Sequence, residues 1–397
     1  MMKNLLIAAL LLSAGFDGSA QYSFFKPAGS FAIEMSLDNS NMTRLPIYRN
    51  SISSLIVVGD LIVGGTNAQE GLSPFVFTAS ISGRELKEYK ELGEVVPGQK
   101  GIVTGFHRSG RTLFAGTIPN GIAAGNKDGH IISVTVGAAG ISTITDLGVP
   151  VSGEGIHALA INEKAGVLYG ISYPSGIFFT FNIKTKKAKT YNNLVPNAKI
   201  LGKLKGEFSL SADNFICKAL VLDNSGNVYG SLPINRLFYF DPRTEQFQLL
   251  KDSLPEVWGR NVLGQVESWA KSKDGKLYGG NAGDGQLFVI DPATKKVKNL
   301  GKAVMVNRLR GLTFAKDGNL YGIAGALPGY AHLFRYNERE GFKDYGNPEF
   351  MMIAPGIEQG IEWRGFQLGT IASSEDGKYV VIGEDESLSQ LLVFPAN

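Results

Sequence analysis

The chain has 397 residues, 44% of them hydrophobic and 19% charged, with a formal net charge of +3. That apolar fraction supports a large packed core and excludes a disordered or fibrous chain. The mild charge balance, with no basic run interleaved with aromatics, excludes a nucleic-acid binder that works through a cationic face.

Residues 1–20 read as a secretory signal. Lys3 supplies the positive end, LLIAALLLSAGF the apolar region, and Gly18-Ser19-Ala20 a small-residue cleavage site before Gln21. The apolar part is too short for a permanent membrane span, and no cysteine follows it to take a lipid. The lone cysteine, Cys217, excludes an internal disulfide and reads as a plain buried thiol beside Phe215 and Ile216. Export without disulfides points to a bacterial periplasm or exterior. A single domain is expected over 21–397.

After the signal comes a segment, between Phe31 and Tyr48, that is placed to act as an N-terminal closing strand. From about residue 51 onward a pattern restarts at intervals. Its marker is GVLYG (166–170), GNVYG (226–230), GKLYG (275–279) and GNLYG (318–322), with weaker copies DLIVGG (60–65), RTLFAG (111–116) and GKYVVIG (377–383). Each marker is preceded by an alternating apolar run and an Asp-Gly or related turn. An apolar strand, a polar turn and a short last strand follow, as in QLFVIDPATKKVKNL. Four strands per unit at a period of roughly forty to sixty residues is the signature of a β-propeller. The fold class expected is therefore all-β, a seven-bladed propeller of four-stranded antiparallel blades. The blades run about 51–97, 98–150, 151–195, 210–255, 260–302, 306–348 and 365–397, and the last borrows its outer strand from the N-terminal segment. The intervals 196–213, 252–265 and 347–366 are expected as long loops on the face where the innermost strands begin, the face on which function gathers.

Aligned on the final marker glycine, the start of the innermost strand carries His157, Lys218, Glu267 and Arg310 in the third to sixth blades. The equivalent positions are Val103 in the second and Gly369 in the seventh. Half of the ring is thus polar and half small or apolar. Two uses are open to such a half-ring: a ligand site, or a cluster of mutually paired charges that closes the channel. Near it on the loops stand Tyr173, Arg260, Arg308, Asn281, Trp258, Tyr330, Trp363 and Arg364, while Trp269 reads as core. The four histidines have no metal-ligand spacing, so no metal and no cofactor is expected. His130 and His332 have no evident partner.

The signal, the Gly-x-Leu-Tyr-Gly repeat and the cationic, aromatic mouth together resemble the secreted propellers of polysaccharide-degrading bacteria. These include propeller polysaccharide lyases, such as oligogalacturonate and ulvan lyases, and a propeller α-rhamnosidase family. The resemblance implies a carbohydrate-active enzyme, the cationic mouth points to an acidic, uronate-containing glycan as its partner, and a monomer is expected. For β-elimination, His157 and Tyr173 are the expected base and acid. Lys218, Arg260, Arg308 and Arg310 would grip the carboxylate, with Glu267, Asn281, Trp363 and Arg364 completing the substrate site. A glycoside hydrolase on the same site, or a binding propeller without chemistry, is the alternative.

Overall fold

The computed structural model describes residues 24–25, 28–38, 43–121, 127–191, 216–232, 235–255, 264–305, 308–325, 331–353, 359–364, 367–385 and 390–396. Among them the regular structure is strands and two short 3-10 turns, Pro46–Arg49 and Leu92–Glu94. No helix among them is long and apolar enough to cross a membrane.

The strands form antiparallel meanders in chain order. Residues Gly155–Asn162, Val167–Tyr173, Phe178–Asn182 and Lys187–Tyr191 make one four-stranded sheet. Sheets begun by Val221–Leu222 and Val266–Lys271 repeat it. Counted by hydrogen bonding there are six sheets among the described residues, where the repeat predicts seven. The physical reason is one bridge. Asn67, at the end of Leu61–Asn67, pairs with Gly101 of Gln99–Ile102 and fuses two successive meanders into a nine-stranded sheet.

A second departure concerns the stretch 347–366, expected as a loop. Strand Gly341–Ile353 instead runs on for 13 residues and turns back as Gln359–Arg364, with Glu349 opposite Arg364. The N-terminal closing strand is found where the sequence places it: Phe31–Ile33 pairs with Leu391–Pro395, Phe31 opposite Val393 and Ile33 opposite Leu391.

The repeated marker has a packing cause. Gly64, Gly170, Gly230, Gly279 and Gly322 lie directly opposite Phe77, Phe179, Phe238, Phe288 and Phe334 of the third strand. Each of those rings is fully buried and lies across the glycine. A Cβ on Gly230 would stand 2.7 Å from the Phe238 ring, and at the other four it would overlap the ring outright. The marker tyrosine works differently. The hydroxyls of Tyr229 and Tyr321 donate to Asp223 (3.4 Å) and Asp317 (3.1 Å) of the preceding turn, and that of Tyr278 reaches Glu338 of the next sheet (3.0 Å). Burial, and then these carboxylates, push all three phenols up in pKa.

Apolar side chains pack in layers between neighbouring sheets rather than in one centre. One layer joins Phe178 to Phe238 and Phe240. Another joins Ile33, Met35 and Val393 to Ile52 and Phe77, so the last sheet packs on the first. Gly170→Ala is expected to cost about 1–3 kcal/mol of stability in thermal or chemical denaturation, because the ring it meets has nowhere to go. Combined with Phe179→Leu it should cost less than the sum of the two single changes. Strict additivity would show that the ring is not the reason for the glycine.

Candidate functional site

Five of the innermost strands share one irregularity near their first residues. In Ser51–Val58 the register steps from Ile52↔Thr66 to Ser54↔Gly65, leaving Ser53 as an extra residue. The same step isolates His157 (Ile156↔Ser172, Ala158↔Ile171), Glu267 (Val266↔Asn281, Ser268↔Gly280), Arg310 (Leu309↔Ala324, Gly311↔Ile323) and Gly369 (Leu368↔Glu384, Thr370↔Gly383). A bulge of this kind frees the extra residue from the ladder and re-aims its side chain. Here all five residues, together with Lys218 and Val103, line one cavity of about 540 Å³. The half-ring read from the sequence is therefore brought together at one end of the inner strands.

Two of its charges, Glu267 and Arg310, have ion-pair partners from outside the half-ring. Arg308 donates from Nε to Glu267 Oε2 at 3.0 Å and from Nη2 to Oε1, a two-pronged grip on a nearly buried carboxylate. Arg308 itself sits in a left-handed conformation, φ +66°, just before its strand. Burial works to raise the Glu267 pKa. The hydrogen bond and charge of Arg308, with the fields of Lys218 and Arg310, outweigh it and hold the carboxyl below its ordinary range. Arg310 donates through Nη2 to Asp385, which also lines the cavity.

Tyr173 stacks on His157, ring centroids 5.2 Å apart at 29°. It does so from the second strand of the same sheet and does not itself line the cavity. Asn281 is turned away. It is buried, donates to the carbonyl of Pro255 (2.8 Å) and accepts from the Gly283 N–H (2.7 Å). Its equivalents Thr66, Ser172 and Glu384 likewise accept the N–H of Phe75, Ile177 and Gln390 at 2.8–3.0 Å, so this register position fastens the loop after the second strand. One residue further along stand Asn67, Tyr173 and Asp385. Aligning the ends of the second strands would have found Asn67 and Asp385, which the marker alone did not.

Trp258, Arg260 and Tyr330 lie outside the described residues, as does the stretch 1–20. Trp363 and Arg364 belong to strand Gln359–Arg364, and their side chains lie outside the description. Trp269 packs edge-on against Phe288 (5.5 Å) and donates from Nε1 to the Ala219 carbonyl (3.1 Å), yet also forms part of the cavity wall. His107, not anticipated, lines the cavity too, and burial pushes its pKa down to about 4 against an opposing hydrogen bond with the Leu159 backbone. The Cys217 thiol is buried, and its pKa is raised by that burial.

His130 and His332 do have partners, which corrects the sequence reading. The Nδ1 of each lies 2.9–3.0 Å from Asp146 and Asp344 on the neighbouring strand, a contact that strand register rather than sequence proximity creates. Among the described residues no group of three metal-ligating side chains is present.

No protein-family model and no curated protein sequence matches the chain. Solved structures share its fold. A streptogramin B lyase superposes with a TM-score of 0.62 at 10% identity, covering 92% of this chain and 98% of that one. Virginiamycin B lyase from Staphylococcus aureus gives 0.60 at 10%, covering 93% and 100%. The Cps50 (Swd1) beta-propeller domain from Myceliophteria thermophila gives 0.57 at 11%, covering 91% and 99%. The fold is a β-propeller.

Two acid-sensitive groups in this cavity act in different pH windows. An unfolded His107 takes up a proton near pH 6.5 and the folded one only near 4. The unfolded state therefore binds more protons between those values, and stability should fall by roughly 3 kcal/mol as pH drops through them. Glu267, with its folded pKa depressed, contributes stability that is complete above the ordinary value of 4.5 and is lost below it, as pH falls through the folded pKa. Denaturant midpoints against pH should show His107→Gln flattening the first window and Glu267→Gln the second. Unchanged slopes would contradict the assignment.

Proposed function

We propose that the chain is an exported, seven-bladed propeller lyase that cleaves an acidic, uronate-containing glycan by β-elimination in the cavity at the start of the inner strands. The nine-stranded sheet counts as two blades in this reading. The observation that carries it is the repeated bulge, which directs His157, Glu267 and Arg310 into one cavity that Lys218 also lines.

Elimination requires a cationic environment for the substrate carboxylate, so that the proton on the adjacent carbon becomes acidic, and a base to remove that proton. Lys218 and Arg310 supply the first and His157 the second. Tyr173, stacked on the imidazole from outside the cavity, is assigned to positioning that ring, and the proton that His157 takes up passes from the imidazolium to the leaving oxygen as the C–O bond breaks. A hydrolase would need a carboxyl with a raised pKa as general acid. Glu267 is held ionised by Arg308, and Asp385 is engaged by Arg310, so the cavity favours elimination over hydrolysis. The fold is shared with a streptogramin B lyase, which supports the reaction class at the level of fold analogy alone.

Binding without chemistry is the second reading, favoured by the prior pairing of Arg310 with Asp385 and of Glu267 with Arg308. A turnover screen on acidic and neutral glycans, following unsaturated-uronate absorbance and reducing ends together, separates the readings. Both signals should rise, and His157→Ala should lower kcat/KM by about 10²–10⁴-fold. Tyr173→Phe should keep most activity while Tyr173→Ala loses it. Reducing ends without absorbance would make the protein a hydrolase, and binding without either signal would leave it a lectin-like propeller.

A further inference from the structure

A second cavity, of about 520 Å³, opens beside the first and shares two of its walls, Asn67 and Asp385. Both volumes fall within the range of roughly 300–1,000 Å³ usual for small-molecule sites. The side cavity is lined further by Arg49, Lys100 and Glu70. Arg49 ends the turn Pro46–Arg49. Lys100 is the extra residue where the register of Gln99–Ile102 steps from Gln99↔Pro119 to Gly101↔Ile118, the same device that aims His157 and Glu267. Both cations are exposed, and among the described residues neither side chain makes an ion pair or hydrogen bond. Glu70 is the opposing charge, since Asp385 is taken up by Arg310. At the junction of the two cavities, Asn67 Oδ1 is buried with no hydrogen-bond partner among the described residues. That atom is sealed from solvent, so the two cations, not this amide, are what the side cavity offers a ligand.

We infer that the side cavity is a second anion subsite, holding the next acidic residue of a linear ligand whose first acidic residue lies at Lys218 and Arg310. The inference rests on the reading of the central cavity as a site for acidic glycans, and it adds to that reading a minimum ligand length of two acidic units.

Calorimetric titration of the full chain with galacturonate monomer and with its linear trimer tests it. The trimer should bind about tenfold more tightly than the monomer. Arg49→Gln/Lys100→Gln should remove that advantage and leave monomer affinity unchanged, and Glu70→Gln should strengthen the trimer alone. Lys218→Met should weaken both probes, which reports on the central cavity separately. All three altered side chains of the side cavity are exposed, so thermal midpoints should stay at the wild-type value. A trimer advantage that survives Arg49→Gln/Lys100→Gln overturns the subsite while the central site stands. Failure of both probes to bind the unmodified chain overturns the central reading for uronates and the subsite with it.

Discussion

The constraint on which this structure depends is the crossing of a buried phenylalanine over a glycine, repeated from sheet to sheet. The ring of the third strand occupies the space that a side chain on the second strand would need. Strand pairs built this way keep one face flat enough for the neighbouring sheet to pack closely, and the buried rings supply much of the apolar area that the layers share. The register follows from it. Once Gly279 is fixed opposite Phe288, the hydrogen-bond ladder places Glu267 near the start of its strand, and the same holds for Gly322 and Arg310.

A regular ladder would point successive side chains at alternate faces of the sheet, leaving little for the channel. The bulge breaks that alternation at one residue in each of five inner strands. It is conservative in its effect on the fold, because the pairing resumes immediately, and decisive for the site. The small residues at this position, Ser53 and Gly369, leave room on one side of the cavity, and His157, Glu267 and Arg310 fill the other.

Electrostatics then sets what the cavity can do. Glu267 is enclosed, and without Arg308 its charge would be costly to bury. The pair holds the carboxyl below its ordinary range, which withdraws it from the role of general acid near neutral pH. Arg310 stays at the wall with Asp385 as its counter-ion, which an anionic ligand must share or displace. The cationic surplus that remains is modest, and it extends sideways to Arg49 and Lys100 rather than deepening at the centre.

Read without a structure, the chain already shows the all-β repeat, the positions of the markers and turns, the N-terminal strand that completes the last sheet, and the alignment of His157, Lys218, Glu267 and Arg310. These are legible because they depend on local chemistry: strand alternation, turn residues, and a tetrapeptide that recurs. The tertiary structure alone decided the partners. That Glu267 faces Arg308 and Arg310 faces Asp385, 75 positions away, depends on how neighbouring sheets are rotated about the channel. Likewise Asn281 looks like a loop ligand by composition and becomes a loop fastener by register, while His130 and His332 gain aspartates only through cross-strand pairing. Contacts between units are set by the packing of whole sheets, and no window of sequence short enough to read contains both sides of them.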